Sequence, residues 1–345
     1  MNKDSLINLL ERGFYGIIVG LIYASLNLDW SMQLYVACAL IGFSIGFFTA
    51  LLDRWLSTTR LRRQQFFIVL GVRTLLYLGV IFVSMVLVLG FYLTLFDSAD
   101  IPKLRQIFGE WVKEGSFAYT IFYSLVVLLI LQIVTLVSRL LGPNVLLNYM
   151  MGRYHQPKEE ERIFMFLDLR GSTTIAERLG HFKWHRFLND FFFDIARTVR
   201  KTKGEIYQYV GDEVVVSWPK DLGVKKLNAI HCFFWIYDRM ENPRTRERYL
   251  KRYGYRPVFK AGFHVGKVVV GEIGDYKREI VFHGDTVNTA SRIQVECNHY
   301  NRRLLLSKTL LDMLDLNDEY TTEYITKILL RGKGEEIELY SLDPT

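Results

Sequence analysis

Two aspartates, each at the end of an apolar run, are the residues of this chain best suited to chemistry. Asp168 follows the apolar residues 164–167, and Asp212 follows the segment Tyr-Val-Gly at residues 209–211. The backbone turns at such points and becomes accessible, so both carboxylates can meet a ligand. Carboxylate oxygens hold hard divalent cations such as Mg²⁺, which they share with the oxygens of phosphate groups. The two segments therefore indicate a site that binds a triphosphate through a pair of metal ions.

A third segment, residues 284–292, adds an amide and a guanidinium to this chemistry. It reads Gly-Asp-Thr-Val-Asn-Thr-Ala-Ser-Arg, and a helix is predicted over residues 285–299 with Asp285 as its N-cap. Asn288 and Arg292 are four residues apart, so both lie on one face of that helix. An ordinary helix salt bridge is the alternative role for Arg292.

Together the three segments resemble the catalytic domain of class III nucleotidyl cyclases, which close a nucleoside triphosphate into a 3′,5′-cyclic nucleotide and release pyrophosphate. The resemblance implies that Asp168 and Asp212, with Leu169, form the metal site for two Mg²⁺ or Mn²⁺ ions. It also implies that Asn288 orients the ribose and that Arg292 stabilises the charge developing on the α-phosphate. The implied activity is therefore that of a nucleotidyl cyclase.

Further residues match positions that contact the phosphates in the family. Gly171, Ser172 and Thr173 lie where the backbone opens a helix, whose free N–H groups suit phosphate oxygens. Lys333, between two glycines, matches a family lysine that reaches the terminal phosphates. Lys260 stands where many relatives carry an arginine with the same task. For both lysines, a solvated surface position is the alternative.

The positions that select the base match neither branch of the family. Many adenylyl cyclases carry Lys, and then Asp or Thr, at the positions of Gln208 and Val281, whereas guanylyl cyclases typically carry Glu and Cys. An amide can meet either purine because it offers both a donor and an acceptor, and a valine side chain offers neither. ATP is the expected substrate by analogy with bacterial-type adenylyl cyclases. GTP, relaxed base choice and a catalytically silent nucleotide-binding membrane receptor remain the alternatives.

The same resemblance implies two subunits. Family active sites form between two subunits, of which one supplies the metal aspartates and the other supplies Asn288 and Arg292. A chain that holds both sets is therefore expected to form a homodimer with two active sites.

Residues before about 140 have a composition typical of a membrane region. A helix needs about 20 apolar residues to cross the bilayer core, and four runs meet or approach this length: residues 13–28, 31–52, 74–96 and 117–138. We therefore expect a four-span transmembrane domain over residues 1–139, a linker or coupling helix over residues 140–160, and a cyclase domain over residues 161–345.

The topology follows from the basic residues between the expected spans. The connection at residues 53–65 contains Arg54, Arg60, Arg62 and Arg63 with one acid, so it is expected in the cytoplasm. An even number of spans then places both termini and the cyclase domain on the cytoplasmic side of the cell (inner) membrane.

The remaining composition excludes several classes of protein. The formal charge of +7 could suggest nucleic-acid binding, but there is no basic helix or aromatic-basic platform, and no nucleic-acid partner is expected. Three cysteines and seven histidines show neither a disulfide framework nor zinc-ligand spacing.

Hydrophobic patterning predicts the fold of the C-terminal part. Strands are expected at residues 163–168, 206–209, 214–218, 258–265, 268–273 and 304–306, and around residues 328–330 and 337–340; helices are expected at residues 184–202, 225–240 and 285–299. This pattern predicts an α+β sandwich in which a mostly antiparallel sheet has helices on one face. The resemblance to the cyclase domain, a ferredoxin-like sandwich, covers residues 162–342.

Overall fold

The computed structural model describes all residues except 1–2, 27–31, 59–65, 97–105, 107–108, 111–112, 114–115, 142–150, 153–154, 317 and 330–335. The chain divides into two compact units, Met1–Val137 and Ser138–Thr345. The expected coupling helix at residues 140–160 stays a prediction, because residues 142–150 lie outside the described residues; residues 158–160 already belong to a strand.

Four helices dominate the N-terminal unit. They are α1 (Lys3–Leu26), α2 (Met32–Thr58), α3 (Phe66–Phe96) and α4 (Ser116–Leu141). Each contains a stretch that is long and apolar enough to cross a membrane: Leu9–Leu26, Tyr35–Leu56, Ile68–Val88 and Ile121–Ser138. The expectation of four apolar helices is confirmed, although α3 begins at Phe66 rather than at residue 74.

Glycines allow α1 and α2 to pack backbone against backbone. A Cβ atom at Gly16 would lie 2.7 Å from the carbonyl carbon of Gly42, and one at Gly42 would lie 2.8 Å from that of Gly16. Such close approach is typical of small residues at helix contacts in membranes. Ser44, close by on α2, instead donates a hydrogen bond to Ser84 Oγ of α3 at 3.0 Å.

A carboxylate on α2 ties the first three helices together. Asp53 accepts hydrogen bonds from Arg12 of α1, at 2.7 Å, and from the Tyr77 hydroxyl of α3, and the guanidinium of Arg73 of α3 lies 3.7 Å from it. Charged groups within membrane helices are found mainly where they are paired. The pairing with Asp53 therefore accounts for an arginine inside the apolar helix α3.

A sheet of eight strands, within the part of the chain that the structure describes, forms the centre of the second unit. The strands are β1 (Lys158–Leu169), β2 (Glu205–Val210), β3 (Glu213–Pro219), β4 (Phe259–Ile273), β5 (Glu279–His283), β6 (Leu304–Ser307), β7 (Tyr320–Leu329) and β8 (Glu336–Pro344). Their spatial order is β2-β3-β1-β4-β6-β8-β7, with β5 paired to β4. The pairing of β4 with β6 is parallel, and the other pairings are antiparallel. The predicted mostly antiparallel sheet is confirmed.

Helices cover both faces of this sheet. They are α5 (Ser172–Lys201), α6 (Lys220–Val224), α7 (Asn228–Glu241), α8 (Pro243–Tyr253), α9 (Asp285–His299) and α10 (Lys308–Leu311). Met165 of β1 packs in one core with Phe187 of α5, whereas Phe166 packs in another core with Ala290 of α9. Helix α9 therefore lies on the face opposite α5, and the expectation that all helices share one face is wrong. Residues 163–167 are apolar throughout, as is typical of a strand covered on both faces.

The strand nearest the candidate site also differs from the prediction. The two predicted strands, 258–265 and 268–273, are one strand, β4 (Phe259–Ile273), because β1 pairs with it without interruption along Lys158–Leu169. Gly266 makes no turn between them. A Cβ atom at Gly266 would lie 2.5 Å from the hydroxyl of Thr286 on α9, so this glycine serves helix packing.

The N-termini of helices α5 and α9, which lie near the candidate site, differ from the prediction. Helix α5 begins at Ser172 rather than at residue 184, and it is kinked at Gly180, where φ is 71° and ψ is 162°. Helix α9 has the predicted bounds, but its N-cap is Gly284, and Asp285 is its first residue rather than its cap. An acid in the first turn still suits the positive end of the helix dipole.

Candidate active site

Asp168 lies at the C-terminal end of β1, in the interior of the sheet. Its neighbours across the strands are Glu213 on β3 and Lys260 on β4. Side chains alternate along a strand, so Asp168 points to the same face as Phe166, which is the face that α9 covers. The fold therefore sets two acids and a lysine side by side on the α9 face.

Two buried donors converge on one oxygen of Asp168. The ammonium nitrogen of Lys260 lies 3.3 Å from Oδ2, and Nε2 of Gln294 on α9 donates a hydrogen bond to the same atom at 2.8 Å. Lys260 is 5% exposed and Gln294 is 4% exposed, so water competes little for either contact. Lys260 thus forms an ion pair with a candidate metal ligand, and its expected phosphate contact stays a prediction.

Asp212 brings a second carboxylate to Asp168. It occupies the tight turn between β2 and β3 after Gly211, whose φ is 61°. Burial, reinforced by the carboxyl group of Asp212, raises the pKa of Asp168. Burial and the negative charges of Asp168 and Asp212 raise the pKa of Glu213 to about 7. Acidic groups are therefore crowded in this site, and Lys260 offsets their charge only in part.

This arrangement fits divalent cations that are shared with a substrate. Crowded carboxylates raise each other's pKa because their charges repel, and Mg²⁺ or Mn²⁺ would supply the opposing charge. Within the described residues, no three His, Cys, Asp or Glu side chains are grouped so as to hold a metal by themselves. Mg²⁺ commonly binds one or two carboxylates and completes its shell with substrate phosphates and water. Asp168 and Asp212 suit that role, and Leu169 can add only its backbone carbonyl because its side chain is buried in the core.

The N-terminus of α5 follows the first metal ligand directly. Gly171 is the N-cap, with a φ of 68°, Ser172 is the first helical residue, and the N-cap makes no side-chain hydrogen bond. The first N–H groups of an α-helix have no partner within the helix and attract anions. The predicted phosphate contacts at Gly171, Ser172 and Thr173 therefore lie at a helix end suited to phosphate, just after Asp168.

Helix α9 carries Asn288 and Arg292 and is packed tightly on β4. A Cβ atom at Gly262 would lie 2.6 Å from Cα of Gln294 and 2.7 Å from the carbonyl oxygen of Ala290. Asn288 is exposed and Arg292 is half-buried. Among the described residues, neither of these two side chains forms a hydrogen bond or an ion pair. Packing thus fixes their helix and leaves both side chains available to a ligand.

The predicted base-selecting position Gln208 lies directly after a register shift in β2. The shift precedes Gln208, which pairs with Val215, and Tyr207 packs with Val215 in the core on the α9 face. The Tyr207 hydroxyl accepts a hydrogen bond from the N–H of Phe282 at 3.3 Å, directly beside Val281 on β5. The two positions therefore lie on segments that the Tyr207–Phe282 contact joins.

Lys333 and Gln294 are the remaining residues to compare with the sequence prediction. Lys333 lies outside the described residues, so its phosphate contact stays a prediction. Gln294 is not among the predicted site residues, because no motif marks the position two residues after Arg292. Its contact with Asp168 joins residues 126 positions apart, and only the folded chain brings them together.

Comparisons with known proteins identify the family of this chain. The family described as the adenylate and guanylate cyclase catalytic domain matches residues 154–344. The chain is 38% identical over 206 residues to adenylate cyclase 2 of Rhizobium meliloti, covering 60% of this chain and 56% of that protein. It is 27% identical over 181 residues to an adenylate cyclase of Anabaena cylindrica, covering 52% and 36%. It is 26% identical over 204 residues to the receptor-type guanylate cyclase gcy-13 of Caenorhabditis elegans, covering 58% and 19%.

The chain therefore spans little more than half the length of the first of these relatives and less of the others. A solved structure of a bacterial light-regulated adenylyl cyclase shares the fold, with a TM-score of 0.56, 20% sequence identity and 64% of each chain covered. The family match extends over more than half of the sequence. The chain belongs to the adenylate and guanylate cyclase catalytic domain family.

Proposed function

We propose that this chain is a membrane-anchored adenylyl cyclase that converts ATP to 3′,5′-cyclic AMP and pyrophosphate, for intracellular second-messenger signalling. The observation that carries the proposal is the crowded acid pair Asp168 and Asp212 at the free N-terminus of α5. Helix α9, on the face of the sheet that carries the Asp168 side chain, presents Asn288 and Arg292 without other partners in the described part of the chain. The names of the relatives from Rhizobium meliloti and Anabaena cylindrica support adenine as the base.

Each residue has one task in this reaction. Asp168 and Asp212 would hold two Mg²⁺ or Mn²⁺ ions, which when bound would lower the pKa of the ribose 3′-hydroxyl and neutralise the leaving pyrophosphate. Asn288 orients the ribose so that O3′ faces the α-phosphorus. Arg292 stabilises the charge that develops on the α-phosphate as the bond to O3′ forms and the bond to pyrophosphate breaks. The first turn of α5 binds phosphate oxygens through its N–H groups.

The site is proposed to form between two copies of the chain. Within one chain, the described contacts tie Asp168 to Lys260 and Gln294 and leave Asn288 and Arg292 unpaired. That pattern suits a pair of residues that completes the site of a second copy. A homodimer would then contain two equivalent sites, each with metal ligands from one copy and the α9 pair from the other.

The proposed location is the cell (inner) membrane. Four helices are long and apolar enough to cross it, and four arginines lie in the connection at residues 53–65. Basic connections stay on the cytoplasmic side. Both termini and the cyclase domain are therefore assigned to the cytoplasm, where ATP is available.

A guanylyl cyclase, or an enzyme with relaxed base choice, is the second candidate. Gln208 and Val281 favour it, because the pair matches neither base-selecting pattern and the amide can meet either purine. The relative gcy-13 is named a guanylate cyclase. A catalytically silent nucleotide-binding receptor is less well supported, since such a protein would not require the metal pair together with Asn288 and Arg292.

The activity itself is tested by incubating the full chain separately with ATP, GTP, CTP and UTP, with Mg²⁺ or Mn²⁺, and identifying the products by mass. We expect mainly 3′,5′-cyclic AMP and pyrophosphate from ATP. Asp212→Asn should lower turnover by at least about a hundredfold, because it removes a charged ligand that positions the reacting groups. Asp221→Asn, at an exposed aspartate of α6, is the matched control. No cyclic product from any nucleotide, or near-normal turnover in Asp212→Asn, contradicts the proposal.

The shared site is tested by mixing two inactive variants. Chains with Asp168→Asn keep Asn288 and Arg292, and chains with Arg292→Ala keep both metal aspartates. A mixed dimer should therefore contain one intact site and regain roughly half of the wild-type activity per dimer. Co-purification with two different tags establishes that the dimers are mixed. Mixed dimers that stay inactive would place the whole site within one chain.

Base choice is tested at Gln208. We expect wild type to prefer ATP while turning over some GTP, because the amide can rotate to pair with either base. Gln208→Lys should raise the ATP/GTP ratio of kcat/KM roughly three- to tenfold, since a cation only donates, adenine N1 accepts, and one hydrogen bond is worth about 0.5–1.5 kcal/mol. Gln208→Met, of similar size, separates hydrogen bonding from shape. An unchanged ratio in Gln208→Lys, or a wild type that makes only cyclic GMP, removes Gln208 as the base reader and adenine as the base.

A further inference from the structure

Gln294 is a buried amide that contacts the candidate metal ligand Asp168, from which it is 126 positions away in the sequence. Its Nε2 donates to Oδ2 of Asp168 at 2.8 Å, and the residue is 4% exposed. A buried amide is costly unless it is hydrogen-bonded, so buried polar groups usually mark a specific contact. Gln294 belongs to α9, the helix that also carries Asn288 and Arg292.

Lys260 and Gln294 act on the same oxygen in different ways. Lys260 brings a positive charge to within 3.3 Å of Oδ2, whereas the amide of Gln294 directs a hydrogen bond without adding charge. Two donors from two different elements, β4 and α9, restrain the rotation of the Asp168 carboxyl group. The other oxygen, Oδ1, takes no part in either contact.

The backbone around Gln294 is itself held on β4. On one side of the helix, the absence of a Cβ at Gly262 lets Cα of Gln294 approach closely. One turn further along, the Cys297 thiol donates to the carbonyl oxygen of Ala261 at 3.3 Å. The amide therefore starts from a fixed helix position, which is what a group needs in order to orient another side chain.

We propose that Gln294 is a positioning residue for the metal site: it holds Oδ2 of Asp168 so that Oδ1 is presented to the cation. This inference rests on the proposed two-metal function. It gives α9 two tasks in a homodimer. Gln294 serves the metal ligand of its own chain, while Asn288 and Arg292 serve the site completed by the partner copy.

Mn²⁺ binding tests the proposal without relying on turnover. The full chain carrying Gln294→Met, which keeps the length of the side chain and removes its hydrogen bonds, is titrated with Mn²⁺ by electron paramagnetic resonance in the presence of a non-cyclisable ATP analogue. Removing such a supporting hydrogen bond typically weakens metal binding 10- to 100-fold, so we expect at least a roughly tenfold loss. Asn298→Leu removes an exposed amide from the same helix and should leave the affinity unchanged.

A purely structural role gives a different result. If Gln294 only packs α9, then Gln294→Met lowers the melting temperature or kcat and leaves Mn²⁺ affinity within about twofold of wild type, and the proposal is overturned. Should Gln294→Met fail to fold, Gln294→Asn keeps a buried amide that is one methylene too short to reach Asp168. A folded Gln294→Asn with wild-type Mn²⁺ affinity also overturns the proposal.

Mixed dimers show which site Gln294 serves. The single intact site joins Asp168 of an Arg292→Ala chain to Arg292 of an Asp168→Asn chain. Gln294→Met placed in the Arg292→Ala chain should raise the Mn²⁺ requirement for activity roughly tenfold or more, and the same change in the Asp168→Asn chain should not. An equal effect from both chains contradicts the proposal. Loss of the cyclase or dimer assignment would leave the Mn²⁺ titration decisive by itself.

Discussion

The site depends on one constraint, the close packing of helix α9 against strand β4. At residue 262 there is no room for a Cβ atom, because Cα of Gln294 would lie only 2.6 Å from it. That contact sets the distance between the helix and the sheet. The distance in turn determines whether Gln294 can contact Asp168 and where Asn288 and Arg292 lie. A helix even slightly further from the strand would separate these groups, since interiors are packed to near-crystalline density.

Three carboxyl groups and one ammonium group are crowded at this site. Burial, reinforced by the neighbouring carboxyl groups, raises the pKa of Asp168 and of Glu213. Lys260 forms an ion pair with Oδ2 of Asp168, and the amide of Gln294 donates a hydrogen bond to the same oxygen. Cations held by Asp168 and Asp212, together with a triphosphate, would balance the remaining charge. This crowding of acids is the feature that supports the proposed metal site.

Features that depend on neighbouring residues could be predicted from the sequence. Features that depend on contacts between residues far apart in the chain could not. The run ending at Asp168, the turn at Asp212 and the helix with Asn288 were all predicted from neighbouring residues. The second helical face of the sheet, the continuous β4 and the contact of Gln294 depend on partners far along the chain. Helix α8 and strand β5 lie outside the predicted elements. Asn242-Pro243 is nevertheless a helix-start signal for α8, whereas β5 is short and, among the described strands, pairs with β4 alone.

The most direct test of this account is the substitution Gly262→Ala. The added methyl group must push α9 away from β4, so we expect kcat/KM to fall by roughly a hundredfold, as about 1 Å of misplacement can produce, together with weaker Mn²⁺ binding and a retained fold by circular dichroism. Gly271→Ala is the control, because it lies on the opposite face of the same strand and its Cβ would be 3.4 Å from Pro157, an ordinary contact. A Gly262→Ala protein with wild-type kcat/KM and Mn²⁺ affinity would contradict the claim that the seating of α9 sets the site.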